Sequence, residues 1–125
     1  MAKPQAGRRA AAASLACALQ AAEAAEAKRA EDVVVLDLRE QTLVTDYFVI
    51  CTGTSRVQIR AVVDGVIEAL AGDRRPPVRE GDEAGQWVLL DYGDVVVHIL
   101  DPEMREYYTL EELWVDAPRV DWERV

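Results

Sequence analysis

The sequence is poor in residues that build metal sites and catalytic dyads. It contains a single histidine, His98, and two cysteines, Cys17 and Cys51. One imidazole cannot form a histidine-based metal cluster, and the two cysteines do not have the spacing of a metal or redox motif. We therefore expect two buried, reduced thiols and predict neither a metal site nor another cofactor.

Long apolar runs and an excess of basic residues are also lacking. No apolar run approaches the roughly 20 residues that cross a bilayer. Lysine and arginine number 14 against 23 acidic residues, which gives a net charge of −9. This charge argues against a protein that binds a bare phosphate backbone and favours a basic protein surface as the partner. We therefore expect no direct, sequence-specific contact with nucleic acid. The 125 residues are enough for one domain with a substantial core.

What the sequence does contain is an alternation of helical and strand patterns. A helix capped by Ser14 is predicted to run to about Arg29, and Ser55 with Gln58 forms a capping box that opens a second helix. Strands are predicted at 33–38, 46–52 and 78–80 and in the two arms of a hairpin within 86–100. The order α-β-β-α-β-β-β-α predicts an α/β fold, with a mixed five-stranded sheet in a single domain.

The hairpin is the most informative stretch, because both of its faces are apolar. Its turn is Asp91-Tyr92-Gly93-Asp94, and the simplest register places Asp91 opposite Asp94 and Trp87 opposite His98. Side chains alternate across a strand, so one face carries Trp87, Leu89, Val96, His98 and Leu100. We expect helices to cover one face of the sheet and a binding partner to use the other.

The two ends of the chain differ in composition from the middle. Residues 1–13 are predicted to form a flexible tail, and the acidic residues 118–125 a loosely held one. The folded domain is therefore expected to span residues 14–117.

Two groups of residues suggest chemistry but are weak as signals. Asp91 and Asp94 could share a cation, although aspartates more often cap turns. Gly53-Thr54-Ser55 could hold a phosphate at a helix start, as in nucleotidyltransferases. Those enzymes need an Asp-x-Asp arrangement on the next strand, and 78–80 has none. A binding module is therefore favoured over an enzyme, with nucleotide binding at Gly53-Thr54-Ser55 as the alternative.

Three blocks of sequence carry a family resemblance. They are VLDL at 35–38 with TDYFVICTGTS at 45–55, WVLLDYGDVVVH at 87–98, and REYYTLEELW at 105–114. In this order they resemble the ribosomal silencing factor family, also called RsfS or Iojap, over residues 14–117.

The resemblance implies a fold related to nucleotidyltransferases without their catalytic residues. It implies a cytoplasmic translational repressor that binds the large ribosomal subunit through ribosomal protein L fourteen and blocks joining of the small subunit when nutrients are scarce. The partner-binding residues it suggests are Trp87, Tyr92, Asp91, Asp94 and His98. A homodimer through the apolar sheet face is a further possibility.

Overall fold

The structure is a computed structural model that describes residues 3–81 and 85–124. Its helices are α1 (Lys3–Ala27), α2 (Arg56–Leu70), α3 (Pro102–Tyr108) and α4 (Leu110–Leu113), with a 3-10 turn at Trp122–Arg124. Its strands are β1 (Glu31–Asp37), β2 (Tyr47–Thr52), β3 (Val78–Gly81), β4 (Trp87–Asp91) and β5 (Val95–Leu100). None of the described helices combines the length and apolar character that crossing a membrane requires.

The five strands form one mixed sheet in the order β1-β2-β5-β4-β3. The neighbours β1 and β2, β4 and β5, and β3 and β4 are antiparallel, whereas β2 and β5 are parallel. The parallel pair is possible because α2 and two further strands carry the chain from β2 to β5. The predicted α/β fold with a mixed five-stranded sheet is confirmed.

Both faces of the sheet are covered, but to different extents. On one face α1 and α2 pack over the side chains of Val88, Leu90, Val95, Val97 and Ile99. On the other face α3, α4 and the chain after them cover Leu36, Ile50 and Leu100, and leave Trp87 half-buried at the margin. The period of two along β4 and β5 correctly predicted which residues share a face.

The predicted register of the hairpin was wrong by two residues. Asp91 lies opposite Val96, and Trp87 lies opposite Leu100 rather than His98. The loop has three residues, Tyr92 to Asp94, and Gly93 adopts a φ of 90°, which favours glycine. The carbonyl oxygen of Asp94 does not close the hairpin, because it accepts hydrogen bonds from the amides of Asp46, just before β2, and Tyr47, the first residue of β2. A shift of two preserves the alternation, so the division into faces is unaffected.

The first helix begins well before the expected start. Ser14 lies inside α1 and does not cap it, and residues 3–13, expected to form a tail, are its first turns. The alanine-rich composition extends the helix toward the start of the chain. The Ser14 side chain is buried instead, where Oγ lies 2.5 Å from Asp94 Oδ2 and 3.0 Å from Asp46 Oδ2. Residues 1 and 2 lie outside the described residues.

The C-terminal segment, residues 118–124, is docked along β1, so the expectation of a loose acidic tail was wrong for it. The Asp37 amide donates to the Pro118 carbonyl at 2.8 Å, and the Val120 amide donates to the Val35 carbonyl at 2.8 Å. The indole of Trp122 is buried, and its Nε1 donates to the Val33 carbonyl at 3.1 Å. Pairing with a strand edge and burial of one large ring outweigh the acidic composition. Val125 lies outside the described residues.

Candidate protein-binding surface

The Trp87 side chain is held by a hydrogen bond across the hairpin. Trp87 begins β4, and His98 lies opposite Leu89, two residues further along. Diagonal neighbours of this kind are within reach of large aromatic side chains. Trp87 Nε1 donates to His98 Nδ1 at 3.2 Å, and the two ring centroids are 5.9 Å apart. The indole orientation is therefore fixed by the sheet.

His98 is a positioning residue for Trp87 rather than an acid or base. Its side chain is 4% exposed, and burial lowers its pKa from 6.5 to about 4. Because Nδ1 accepts the indole proton, the neutral ring carries its own proton on Nε2. That Nε2 has no hydrogen-bond partner within the described part of the chain. At neutral pH the ring is uncharged and serves as an acceptor.

Trp87 belongs to a continuous aromatic row on the less covered face of the sheet. Neighbouring centroids in the row are 4.5 to 6.1 Å apart. Its members, in spatial order, are Trp114, Phe48, His98, Trp87, Tyr108 and Tyr107. The row begins under α4 and reaches solvent on α3, where Tyr107 is 74% exposed and Tyr108 43%.

A shallow groove lies beside the exposed end of the aromatic row. It measures about 350 Å³. Its lining is Glu80, Gly81, Trp87, Leu89, Met104 and Tyr108. Leu113 on α4 and Val115 just after it are also apolar side chains that are largely exposed. Exposed apolar surface such as that of the groove is typical of an interaction site.

Arg105 fixes α3 against the sheet and so gives the groove a rigid wall. Its guanidinium donates to Glu111 on α4, to Thr52 Oγ1 at the end of β2, and to the Asp32 carbonyl on β1. The Nη2 to Glu111 Oε2 distance is 2.8 Å, and the arginine side chain is 12% exposed. One side chain thus joins four elements. We infer that the groove is preformed in the free protein.

The two aspartates of the hairpin turn have structural partners. Asp91 Oδ1 accepts from the Gly93 amide at 2.7 Å, which caps the turn. Asp94 accepts from both terminal nitrogens of Arg74, at 2.5 and 2.9 Å, and the pKa of its carboxyl is held below the usual value chiefly by Arg74. With the Ser14 contact, Asp94 ties the turn to α1 and to the chain after α2. No cluster of potential metal ligands occurs in the part of the chain that the structure describes.

Tyr92 lies with these aspartates and not with Trp87. Its ring is half-buried against the helix-covered core, and burial raises the pKa of its hydroxyl to about 12. Trp87 begins β4 and Asp91 ends it, which separates them by roughly 13 Å along the strand. The structure therefore brings Trp87 and His98 together, and groups Asp91, Tyr92 and Asp94 at the other end of the hairpin.

The Gly53-Thr54-Ser55 turn uses its donors within the chain. The Gly53 amide donates to the Leu100 carbonyl, and the Thr54 amide donates to Gln58 Oε1 at 2.6 Å. The Ser55 hydroxyl oxygen accepts from the Gln58 amide at 3.0 Å. The predicted cap is confirmed. A Cβ on Gly53 would lie 2.6 Å from Ile59 Cγ1, so the glycine serves the approach of α2. These amides are not directed at a phosphate.

Comparison with known proteins decides the family. A family profile described as ribosomal silencing factor during starvation matches residues 11–125. The chain belongs to the ribosomal silencing factor family. It is 45% identical to the ribosomal silencing factor of Bacillus subtilis over 103 residues, which cover 81% of this chain and 86% of the relative. The predicted resemblance is confirmed, and this family is named for silencing and not for an enzymatic reaction.

Two further similar proteins extend the comparison. A crystal structure of a Chromobacterium violaceum protein matches with a TM-score of 0.76 and 36% identity, covering 80% of this chain and 84% of that one. A mouse protein named for mitochondrial assembly of the ribosomal large subunit is 37% identical over 70% of this chain and 40% of its own length. The family profile extends to residue 125 and so includes the C-terminal segment, which lay outside the region of resemblance at 14–117.

Met104 is a groove residue that the sequence pattern did not identify. It lies four residues before Tyr108 on α3, a spacing that places both side chains on one side of a helix. That spacing was the available signal, but a short apolar stripe on a helix is just as typical of a residue buried in the core.

Proposed function

We propose that this protein binds the large ribosomal subunit through ribosomal protein L fourteen and sterically blocks joining of the small subunit. The result is repression of translation in the cytoplasm when nutrients are scarce. Membership of the silencing factor family supports a role in silencing ribosomes. The finer steps, the partner protein and the blocked joining, are the content of the proposal.

The observation that carries the proposal is the groove with the exposed end of the aromatic row. Tryptophan and tyrosine supply most of the binding energy in many protein interfaces, because each buries a large ring at little cost in conformational entropy. Here Trp87 is held by His98 and packs against Tyr108 with centroids 4.7 Å apart. A partner would therefore meet an anchor that is already oriented.

Charge around the groove fits a basic partner. Glu80 lines the groove, and Glu103 and Glu106 are exposed on α3. The whole chain carries a net charge of −9. Complementary charge accelerates the encounter with a positively charged protein and fixes its orientation. The mouse relative, named for large-subunit assembly, supports the choice of the large subunit.

The five residues suggested as partner contacts take different roles in this proposal. Trp87 is a direct contact, and His98 is a positioning residue behind it. An interface that extends along β4 as far as the hairpin turn would also contact Asp91, Tyr92 and Asp94. Their contacts within the chain support a role in holding that turn.

Mixing the purified protein with separated ribosomal subunits on a sucrose gradient tests the proposal. The wild-type protein is expected to sediment with the large subunit and to slow its joining to the small subunit. Trp87→Ala and Tyr108→Ala are expected to weaken binding at least tenfold, which is the size of a typical interface hot spot. Val57→Ala is the matched control, because Val57 is 78% exposed on α2, across the sheet.

Three results would count against the proposal. The first is a wild-type protein that does not sediment with the large subunit, and the second is one that does so without slowing subunit joining. The third is a Tyr108→Ala variant that binds like the control, which would refute the surface itself. Circular dichroism of each variant shows whether lost binding reflects an unfolded protein. Light scattering of the free protein tests the homodimer, which stays a prediction.

A further inference from the structure

The outer strand β3 leaves one edge of the sheet open. Within the described part of the chain, β3 pairs with β4 alone, and all four residues of Val78–Gly81 are exposed. At the opposite edge the chain closes the sheet itself, because residues 118–120 bond along β1. An edge strand with unpaired N–H and C=O groups is a template on which another chain can pair. The edge of β3 is therefore the place where a partner can extend the sheet.

The hydrogen bonds of β4 show which backbone groups of β3 point outward. The Tyr92 amide, directly after β4, donates to the Val95 carbonyl. Bonding direction alternates along an antiparallel ladder, so the even-numbered residues of β4 bond toward β5 and the odd-numbered ones toward β3. Leu89 therefore bonds to its partner Glu80. Arg79, one residue before Glu80, directs its N–H and C=O away from β4 and into the open edge.

The groove lies directly beside this edge. Glu80 and Leu89 are partners in the ladder, so their side chains share a face, and both line the groove together with Trp87. Val78 lies on the same face two residues earlier and is 64% exposed. A strand added to β3 would place every second side chain over this face, next to the groove.

We propose that the partner protein adds an extended segment to β3 as a further strand of the sheet. The inference rests on the proposed function, because it describes how the partner reaches the groove. In strand addition, backbone hydrogen bonds supply affinity and alternate side chains supply specificity. Arg79 offers the backbone groups. Glu80 favours a lysine or arginine opposite it, since cross-strand pairs of opposite charge are stabilising. An apolar side chain two positions further along then lies over the groove.

The charge of this surface favours a basic segment over a second copy of the chain. Glu80 lines the groove, and Glu103 and Glu106 are exposed on α3 beside it. A second copy carries the same net charge of −9, whereas a basic segment is attracted by it. In addition, β3 is four residues long and contains two charged side chains. Short, charged edge strands resist pairing with copies of themselves.

Arg79→Pro tests the added strand, because proline lacks the outward N–H. Proline is tolerated on an edge strand where the N–H faces solvent, so pairing with β4 should survive. The matched control is Arg79→Thr, which loses the same charge but keeps the amide in a residue that suits strands. In sedimentation with purified large ribosomal subunits, Arg79→Pro should bind roughly tenfold or more weakly than Arg79→Thr, because one carbonyl of the partner is left without a donor.

Two further measurements examine the edge and its charge. Hydrogen exchange followed by mass spectrometry should show that peptides covering Val78–Gly81 exchange more slowly in the complex of the wild-type protein with the large subunit than in the free protein. Glu80→Gln should bind more weakly, and its binding should depend less on salt, because one attraction between opposite charges is lost.

The outcomes separate this inference from the proposed function. A wild-type protein that does not bind the large subunit would overturn both. Binding of the wild-type protein together with equal binding of Arg79→Pro and Arg79→Thr would overturn strand addition alone. Circular dichroism shows whether Arg79→Pro is folded, and if it is not, unchanged exchange of Val78–Gly81 in the wild-type complex would overturn strand addition instead. A free wild-type dimer that Arg79→Pro converts to a monomer in light scattering would assign the edge to a second copy and overturn it as well.

Discussion

Trp122 should contribute a large share of the stability of this fold, although it lies only three residues before the last residue of the sequence. Its indole is 7% exposed and its Nε1 donates to the Val33 carbonyl. Replacing a buried tryptophan by alanine typically costs about 3 to 5 kcal/mol. We take about 3 kcal/mol for Trp122→Ala, because the end of the chain can relax around the space left behind. Trp122→Phe keeps a ring and loses the hydrogen bond, which should cost about 1 kcal/mol.

Urea denaturation followed by circular dichroism measures both Trp122 values. The midpoint should fall with little change in the slope, and the melting temperature should drop by about 4 °C for each kcal/mol. Hydrogen exchange adds a local measurement, because the Asp37 amide donates to Pro118 and should exchange faster in Trp122→Ala. Leu113→Ala is the control, since Leu113 is 72% exposed and its truncation should change stability by less than about 0.5 kcal/mol.

A Trp122→Ala variant that unfolds like the Leu113→Ala control would refute the predicted role of Trp122. An Asp37 amide that exchanges at the wild-type rate in Trp122→Ala would refute it as well. Either result would mean that residues 118–124 do not hold the edge of the sheet.

Two further predictions concern His98 and Gly53. The folded-state pKa of His98, about 4, lies below the ordinary 6.5, so the unfolded chain binds more protons and stability falls as pH drops through this interval. The free energy of unfolding, measured by urea denaturation, should fall by about 2 kcal/mol between pH 7 and pH 5. His98→Gln, whose side chain can still accept the hydrogen bond from Trp87, should remove most of this pH dependence. The same dependence of stability on pH in wild type and His98→Gln would contradict the prediction. Gly53→Ala should lower the free energy of unfolding by about 1 to 3 kcal/mol, because its Cβ would meet Ile59 Cγ1 at 2.6 Å. Gly72→Ala is the control, since a Cβ there meets nothing within 4 Å, and equal stability of the two variants would refute the steric argument.

The sheet and its two faces could be predicted because they depend on local alternation. In β4 and β5 the period of two assigns Leu90 and Val97 to one face and Trp87 to the other, whatever the exact pairing. The cap at Ser55 could be predicted for the same reason, since Gln58 lies three residues away. Each of these features is decided within a few residues of sequence.

The register and the two chain ends depend on distant partners and could not be predicted. Asp94 does not pair with Asp91 across the hairpin, and its carboxylate instead bonds Arg74 and Ser14, which lie 20 and 80 residues away in sequence. Trp122 docks because Val33, 89 residues earlier, offers a carbonyl at the sheet edge. Composition alone made residues 118–124 look like a solvated tail.

The candidate site shows the same limit. Trp87 was suggested as a partner contact by the family resemblance, and it stays a prediction. Its separation from Tyr92 follows from the length of β4 and the packing of α3, and the pattern specified neither.

The docked C-terminal segment covers one of the two edges of the sheet. Residues 118–120 occupy the outer margin of β1, whereas β3 at the opposite margin has no strand beyond it among the described residues. Among the described residues, β3 is therefore the sheet edge left open for pairing with another copy. Pairing of two copies through β3 would occupy this edge on both, so it would stop at a dimer and not continue into a fibre.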